Sequence, residues 1–299
     1  MTRRTAMAYV GIDWGTSRFR AYAFDQNRQL IDHISTEHGI KFVENLEFER
    51  TLFELIGHWL TQSTTVVLSG MITSKQGWIE TPYLTVPAPL NVLLAQAVQQ
   101  HIRDTTFLFL PGLNQTSPNP DVIRGEELQL LGAAAKSDTT ITVLPGTHSK
   151  WAQLNNGVVT QFNTIITGEL FDTLLNHTVV GQLGVGRKMD TTAFIEAVKS
   201  GYHSKTIISD LFTARSGVLL GTIAPELVYP YLSGLLIGNE ISAGLRLCDH
   251  AENATVQLIG DDALCDTYKT AMQTLNINAV SVNKSAAIDG FQHIFQQVK

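Results

Sequence analysis

The sequence predicts an α/β protein built from two similar halves, and three observations support this. One strand-like run ends in a turn at Gly15-Thr16, and a second ends in a similar turn at Gly146-Thr147. Each turn leads into further strand-like and helical periods. The pattern restarts near residues 136–140. We therefore expect a first domain at 1–137 and a second at 138–299, with the last helix able to pack back on the first domain.

Apolar periodicity predicts the elements of the first half. Residues 47–62 carry apolar side chains at helical spacing. The turn residues Pro111 and Gly112 end the predicted strand at 105–110. Asp121 is a candidate N-cap for the helix that follows it. The predicted elements are strands 8–13, 18–24, 28–33, 64–68 and 105–110, helices 47–62, 90–102 and 122–136, and a polar loop at 113–120.

The second half follows the same logic. Asn155-Asn156-Gly157 supplies the positive-φ residues of a hairpin turn. Thr167 is a candidate cap for the helix that starts there. The predicted elements are strands 140–144, 158–162, 256–259 and 279–282, helices 167–175, 263–274 and 285–298, and a mostly helical stretch at 191–245.

Composition excludes several classes of protein. The 299 residues are 44% hydrophobic and 16% charged, with a net charge of -6, which argues against binding along nucleic acid. Two cysteines imply no disulfide framework or zinc site and suit a reducing cytoplasm. The apolar stretch 216–245 contains Pro225, Glu226, Pro230 and Glu240, which predicts buried helices and not a membrane span.

The two Gly-Thr turns are candidate phosphate sites. No P-loop, dinucleotide fingerprint, zinc-protease motif or nucleophile elbow is present. A tight turn presents successive backbone N–H groups that can hold phosphate oxygens. The alternative is that both are ordinary hairpin turns without a ligand. The recurrence of a Gly-Thr turn in both halves favours the phosphate interpretation. The side chains that could assist are Thr16, Ser17, Thr147 and Ser149 as hydroxyl donors, and His148 or Lys150 as partners for phosphate charge.

Acidic residues at two places could serve phosphoryl transfer. Asp13 ends the strand before Gly15, where a carboxylate can hold magnesium, usually through water. Glu126 and Glu127 begin a mostly apolar helix. Either could accept the proton of an acceptor hydroxyl, and the alternative is that both only complement the helix N-terminus. The sequence does not choose between the two glutamates.

Two loops at strand ends are candidate ligand sites. The first contains Gly70, Met71, Ser74 and Trp78, and its alternative interpretation is a surface loop with Trp78 in the core. The second is the strand–glycine–helix segment at Gly260, which could place a nucleotide base or ribose against the helix start.

The longer motifs resemble the 2-dehydro-3-deoxygalactonokinase family, within the superfamily of actin, heat-shock ATPases and sugar kinases. The matching strings are VGIDWGTSRFRAY, LSGMITSKQGW, PYLTVPAPL, DVIRGEELQLLGA, LPGTHSKW, ITGELFDTLLNH, YLSGLLIGNEI and LIGDDAL. The resemblance implies two duplicated actin-like (ribonuclease H-like) domains with ATP and Mg²⁺ in the cleft between them. It also implies transfer to the 6-hydroxyl of 2-dehydro-3-deoxygalactonate, giving the 6-phosphate in galactonate breakdown.

The resemblance also assigns residues. Asp13, Gly15 and Thr16 match the first phosphate motif, Gly146, Thr147 and His148 the second, and Gly260 the adenosine motif, where Asp261 replaces the usual second glycine.

A keto acid needs a cation for its carboxylate, and our hypothesis is that Arg18 or Arg124 supplies it. On strand 18–24, Arg18 and Arg20 should point the same way. The only partner expected is this small-molecule substrate. The competing interpretations are a kinase for another sugar or sugar acid, a conformational ATPase of the same fold, and a sugar-acid sensor.

Overall fold

The structure is a computed structural model that describes residues 7–134, 139–248, 255–282 and 286–298. The chain divides into two compact units. The first comprises Met1–Asp138, Asn155–Thr160 and Ser285–Lys299, and the second comprises Thr139–Leu154 and Gln161–Lys284.

The described residues form fifteen strands and nine α-helices. The strands are β1 Tyr9–Trp14, β2 Phe19–Phe24, β3 Leu30–Thr36, β4 Thr65–Ser69, β5 Tyr83–Thr85, β6 Ala88–Pro89, β7 Val98–Ile102, β8 Thr105–Phe109, β9 Gly112–Gln115, β10 Asp121–Ile123, β11 Thr139–Leu144, β12 Ser149–Asn155, β13 Val158–Ile165, β14 Val256–Leu258 and β15 Ala279–Ser281. The helices are α1 Phe48–Ile56, α2 Glu126–Ala134, α3 Thr167–His177, α4 Thr191–His203, α5 Ile207–Leu211, α6 Thr213–Leu219, α7 Val228–Leu247, α8 Asp262–Thr274 and α9 Ala286–Gln297.

The first unit is organised by a mixed sheet in the order β3-β2-β1-β4-β8-β7. Along β1, Val10, Ile12 and Trp14 point into one core because side chains of a strand alternate between faces. The other face carries Gly11, where a Cβ would lie 2.4 Å from the ring of Phe291 in α9. A side chain at position 11 would therefore push α9 away from the sheet.

The register of this sheet brings two strand ends together. β1 and β4 run parallel, and Asp13 pairs with Ser69. β2 runs antiparallel to β1 and places Arg20 opposite Asp13. A smaller sheet in the order β10-β9-β5 carries the chain to the start of α2. The carboxyl ends of β1 and β4 therefore lie at one edge, where ligands bind in α/β sheets.

The second unit has a sheet in the order β15-β14-β11-β12-β13, with β11 and β15 both parallel to β14. This is the same order as β8-β4-β1-β2-β3 in the first unit. The first residues of β13, Val158 and Val159, belong to the first unit and pair with β6. The expected hairpin before β13 is confirmed, because Asn156 and Gly157 have φ of 49° and 75°.

Glycines let α4 and α7 of the second unit pack closely. A Cβ on Gly234 would lie 2.4 Å from the carbonyl oxygen of Phe194, and one on Gly238 would lie 2.1 Å from that of Val198. Because α7 also packs against α3, α5, α6 and α8, it can be apolar around most of its surface. Within the described part of the chain, no helix is both long enough and apolar enough to cross a membrane.

The structure corrects three expectations for the first half. Residues 90–102 are not a helix, because Leu90–Val92 and Leu94–Gln96 are separate 3-10 turns and Val98–Ile102 is the edge strand β7. The predicted polar loop at 113–120 begins as β9. Residues 122–136 do not form one helix, because Asp121 opens β10 and α2 starts at Glu126. Asp121 is thus a strand residue and not an N-cap.

One cap in the second half is also corrected. Thr167 is the first residue of α3, and its N-cap is Ile166, which makes no side-chain capping bond. The helical stretch at 191–245 is confirmed as α4 to α7 with short breaks.

We predict that Gly238→Ala destabilises the protein. The new methyl group would meet the backbone of α4, which cannot rotate away, so the loss should be about 1–3 kcal/mol. Thermal unfolding measures it. The control is Gly57→Ala, where the nearest atom to the new Cβ lies 3.5 Å away. A Gly238→Ala variant as stable as this control would contradict the close packing of α4 on α7.

Candidate functional site

Asp13 stands at the carboxyl end of β1 in an ion pair with Arg20. Its Oδ2 lies 3.0 Å from Arg20 Nη1, and 13% of its side-chain surface is exposed. Burial raises the pKa of Asp13, and the Arg20 charge acts in the opposite direction. Arg20 is therefore the cation that the sheet register brings to this carboxylate, and our sequence analysis did not place it among the site residues.

Two glycines meet beside Asp13. Gly70 follows β4 with φ of 92°, and Gly125 precedes α2 with φ of 114°, both in a region that side-chain-bearing residues rarely adopt. A Cβ on Gly125 would lie 3.2 Å from Gly70 Cα, and one on Gly70 would lie 3.2 Å from Asp13 Oδ1. Glycine at both positions lets the start of α2 approach the end of β1.

Glu127 is fully buried at the start of α2. Ser69 Oγ donates to its Oε1 at 3.0 Å, and the Gly125 N–H donates to its Oε2 at 2.6 Å. Burial raises the pKa of Glu127 to about 8, and the charge of Glu126 adds to the increase. At neutral pH the protonated form of Glu127 is therefore favoured.

Glu126 differs from its neighbour in exposure. It is half-buried, and its Oε2 accepts a hydrogen bond of 2.9 Å from the Arg124 N–H. Glu126 is thus more accessible to a ligand than Glu127. The two glutamates that the sequence could not separate thus have different environments.

Arg124 is buried and hydrogen-bonded on both terminal nitrogens. Its Nη1 donates to Thr73 and Thr81, and its Nη2 donates to the Thr81 carbonyl at 3.1 Å. The guanidinium also lies 4.2 Å from the ring centroid of Tyr83. These contacts fasten the loop after β4 to the segment before β5.

The remaining loop residues divide into two groups. Met71 is partly buried in a 3-10 turn, and Ser74 Oγ donates to its carbonyl at 2.7 Å. Trp78 packs edge-on against Phe107 and Phe109, so its ring belongs to the core of the first unit.

The first turn, Gly15–Arg18, is supported from behind by the chain at Gly39. The Gly15 N–H donates to the Arg18 carbonyl at 2.9 Å, and Thr16 and Ser17 are exposed. A Cβ on Gly39 would lie 2.3 Å from the Ser17 carbonyl carbon, so only glycine fits there. The sequence analysis missed Gly39, because an isolated glycine carries little signal.

Arg18 itself lies in this turn and not in β2. Its guanidinium is exposed and 3.8 Å from Glu37, whereas Arg20 faces Asp13. The two arginines therefore do not share one strand face, as had been expected from a strand starting at residue 18.

The second turn, Gly146–Ser149, is built against the start of α3. A Cβ on Gly168 would lie 2.5 Å from the Gly146 carbonyl oxygen, and the Glu169 N–H donates to the Thr147 carbonyl at 3.0 Å. Thr147 and the next residue, His148, are exposed. The start of α3 thus holds the second turn in place, and the side chains of Thr147 and His148 at the centre of the turn face outward.

The side chains that flank the second turn differ in exposure. His148 Nε2 lies 2.5 Å from Glu169 Oε2. Ser149 and Lys150 are buried at the start of β12, and Ser149 Oγ accepts from the Gly146 N–H at 3.4 Å.

Gly260 lies beside the second turn within the same unit. A Cβ on Gly260 would lie 3.5 Å from the Pro145 carbonyl oxygen, and its φ is 154°. Asp261, where the family motif usually has a second glycine, is the N-cap of α8 and accepts from the N–H groups of Ala263 and Leu264. Its side chain is thus committed to the helix start.

Among the described residues, no group of three or more His, Cys, Asp or Glu side chains is arranged to hold a metal ion. This finding is compatible with magnesium, which commonly binds one or two carboxylates and completes its shell with water and phosphate oxygens. Asp13 is the carboxylate at the strand end, and its Oδ1 faces the two glycines.

The predicted site residues thus form one group in each unit. Asp13, Gly70, Glu126 and Glu127 lie together in the first, and the second turn lies with Gly260 in the second. Arg124 supports the first group from the interior, and Trp78 packs in the core. The roles of these residues stay predictions.

The raised pKa of Glu127 predicts how pH changes stability. Between the ordinary value of 4.5 and about 8, the folded protein keeps a proton that the unfolded chain has released, so the wild type loses stability as pH rises. Glu127→Gln cannot titrate. The free energy of unfolding of this variant, relative to wild type, should therefore rise by on the order of 3–5 kcal/mol across that window.

Denaturant unfolding at several pH values measures the difference. Glu44→Gln, which removes an exposed carboxylate, is the control. A difference between Glu127→Gln and wild type that stays flat or falls with pH would contradict the burial of a protonated Glu127.

Comparisons with known proteins identify the family of this chain. A model of the 2-keto-3-deoxy-galactonokinase family matches residues 13–294. The 2-dehydro-3-deoxygalactonokinase of Escherichia coli (strain K12) is 33% identical over 275 residues, which cover 92% of each chain. A crystal structure from Sinorhizobium meliloti, assigned as a 2-dehydro-3-deoxygalactonokinase, superposes with a TM-score of 0.88 at 31% identity, covering 97% of this chain and 96% of that one.

More distant solved structures share the fold. A ligand-bound xylulose kinase from Lactobacillus acidophilus superposes with a TM-score of 0.50 at 9% identity, covering 96% of this chain and 89% of that one. The chain described here belongs to the 2-keto-3-deoxy-galactonokinase family.

Proposed function

We propose that this protein is an ATP-dependent sugar-acid kinase that phosphorylates the 6-hydroxyl of 2-dehydro-3-deoxygalactonate. The product is 2-dehydro-3-deoxy-6-phosphogalactonate. Family membership over most of the chain supports the reaction. The observation that carries the proposal is the acidic pair Glu126–Glu127 beside Asp13 at the carboxyl ends of β1 and β4.

Glu126 is the proposed general base. A base must touch the hydroxyl that it deprotonates and must be ionised to accept its proton. Glu126 is half-buried and can reach a ligand, whereas Glu127 is buried and its pKa is raised to about 8, which favours its protonated form at neutral pH. Glu127 then acts as a positioning residue, because its bonds to Ser69 and Gly125 orient the first turn of α2.

Asp13 is the proposed magnesium-holding residue. A magnesium ion bound with ATP would neutralise phosphate charge during transfer. Arg20 compensates the charge of the buried carboxylate and limits the directions in which Asp13 can point. The oxygen that faces Gly70 and Gly125 is the one proposed to face the metal's water shell.

Each of the two turns is a proposed phosphate-binding element of its own unit, and Gly260 is proposed to act with the second turn. Exposed Thr16 and Thr147 offer hydroxyl and backbone N–H donors to phosphate oxygens. Gly260 is proposed to admit the adenosine next to the second turn, because a glycine has no side chain that would occupy that space. The other proposed phosphate ligands are Gly15, Ser17, Gly146 and His148. Ser149 and Lys150, which were expected with them, are buried at the start of β12 and are proposed to support the turn from the interior.

The acceptor is proposed to bind near the loop after β4. Arg18 is the proposed partner of the substrate carboxylate, because its guanidinium is exposed. Arg124, the other candidate, has its terminal nitrogens bonded to Thr73 and Thr81, so its proposed role is to hold the loop. Gly70, Met71, Ser74 and Trp78 are the remaining proposed residues of the acceptor site.

We also propose that the two units are the halves of a duplicated actin-like fold, close to the expected domains 1–137 and 138–299. Their matching strand orders support the duplication. The inclusion of α9 in the first unit supports the expectation that the last helix returns to the first domain.

An assay of ADP release tests the function. ATP and magnesium are supplied with 2-dehydro-3-deoxygalactonate, its gluconate epimer, glucose or no acceptor. Turnover with the keto-deoxy acids is expected, and the ratio of the epimers defines the preference. Acceptor-independent hydrolysis would instead support a conformational ATPase of the same fold, and turnover with glucose alone would support another sugar kinase.

The two glutamates can be separated by kinetics. Glu126→Gln should lower kcat about 10²–10⁴-fold, because the base is removed. Glu127→Gln should retain most of kcat at pH 7, because the glutamine oxygen can accept from the Gly125 N–H and its amide group can donate to Ser69 Oγ once the Ser69 hydroxyl rotates to accept. Both variants are measured with saturating ATP and acceptor. The reverse ranking would transfer the role of base to Glu127.

The acceptor arginine is tested by Arg18→Met. Its KM for the sugar acid should rise by about tenfold or more, while the KM for ATP changes little, because one charged hydrogen-bonding partner is lost. Glu37→Gln, which removes the partner of Arg18, is the matched control. An unchanged KM for the sugar acid in Arg18→Met would exclude Arg18 as the clamp.

A further inference from the structure

The second unit contains a buried carboxyl group that the proposed mechanism does not use. Glu240 lies in the middle of α7 and is 2% exposed. Its Oε1 accepts from Trp151 Nε1 at 2.8 Å, and its Oε2 accepts from the Tyr268 hydroxyl at 2.6 Å. Side chains of Thr167 and Ser149 also hydrogen-bond to it. Four donors from three other elements therefore converge on one carboxyl group.

Such an arrangement needs a reason, because burying a carboxyl group is costly unless its oxygens are paired. An apolar residue would fill the same space in α7 without that cost. Burial raises the pKa of Glu240, and its hydrogen bonds act in the opposite direction. The network is fully supplied with donors, which is typical of a polar cluster that specifies a geometry.

The donors show which geometry is specified. Ser149 closes the second turn and accepts from the Gly146 N–H. Thr167 is the first residue of α3, whose next residue, Gly168, packs directly against Gly146 and Thr147. The Tyr268 hydroxyl donates to Glu240 and lies 3.2 Å from Ser149 Oγ, so it can accept the Ser149 proton as an alternative route from the turn to the carboxyl group.

Trp151 is the exception within the network. Its ring covers Gly244, where a Cβ would lie 2.2 Å from Trp151, and its N–H occupies the oxygen of Glu240 that does not face Tyr268. Trp151 thus donates to the same carboxyl group. Among the described residues, its side chain makes no hydrogen bond to the second turn. It offers a control for stability without a direct effect on the turn.

We propose that Glu240 is a positioning residue for the phosphate-binding second turn, acting through Ser149 and Thr167. The carboxyl group holds the end of the turn and the start of α3 at a common point, so that the exposed Thr147 is aligned before the nucleotide arrives. This inference rests on the proposed function, because it requires the second turn to bind the phosphates of ATP.

The test compares Glu240→Gln, Tyr268→Phe and Trp151→Phe. Glutamine replaces one acceptor oxygen with a donor, and phenylalanine at 268 removes the hydroxyl between Ser149 and Glu240. Both variants should raise the KM for ATP and the Kd for Mg·ADP about tenfold, with the KM for the sugar acid changed less than twofold. Trp151→Phe should lower the melting temperature at least as much as Glu240→Gln and Tyr268→Phe do. It should leave the KM for ATP and the Kd for Mg·ADP unchanged.

The outcomes separate the two proposals. If wild-type protein binds no Mg·ADP in calorimetry, the proposed function fails, and this inference fails with it before any variant is made. If wild type binds nucleotide, Tyr268→Phe decides even where Glu240→Gln does not fold. Unchanged nucleotide constants in Tyr268→Phe, or an equal increase in Trp151→Phe, would reduce Glu240 to a purely structural role.

Discussion

The parallel pairing of β1 with β4 is the constraint on which the acidic site depends. It sets Asp13 beside Ser69, and the antiparallel partner β2 sets Arg20 on the other side of Asp13. Ser69 then reaches Glu127. A shift of one residue would turn each of these side chains to the opposite face of the sheet. The alternation of β1 prevents that shift, because it would turn Ile12 and Trp14 toward α9, which packs closely on the opposite face at Gly11.

Each unit supports its proposed site with a buried carboxyl group. In the first unit, Glu127 bonds the end of β4 and the backbone before α2. In the second, Glu240 gathers donors from β12, α3 and α8. Both groups bear the cost of desolvation and in return restrict loops that would otherwise have several conformations. Rigid support of this kind lets donors face a ligand without reorganising when it binds.

The errors in the predicted elements have a common cause. Residues 90–102 have apolar residues near helical spacing. Val98–Ile102 nevertheless forms a strand, because pairing with β8 at the sheet edge stabilises it more than a helix would. The turn that joins β7 to β8 has φ of 47° at Arg103 and 66° at Asp104, and it lacks the glycine that usually signals a hairpin. Asp121 was misplaced for a similar reason, since β10 forms only because β9 is there to pair with it.

The sequence alone determined the α/β class, the order of most strands and helices, both Gly-Thr turns and the three acidic residues Asp13, Glu126 and Glu127. These features follow from local periodicity, turn chemistry and long motifs. Only the tertiary structure decided which glutamate is buried with a proton, that Arg20 and not Arg18 meets Asp13, and that Arg124 faces inward. It also revealed Gly39 and Glu240. Burial and register arise from contacts between residues far apart in the chain, and a pattern of neighbouring residue types does not encode them.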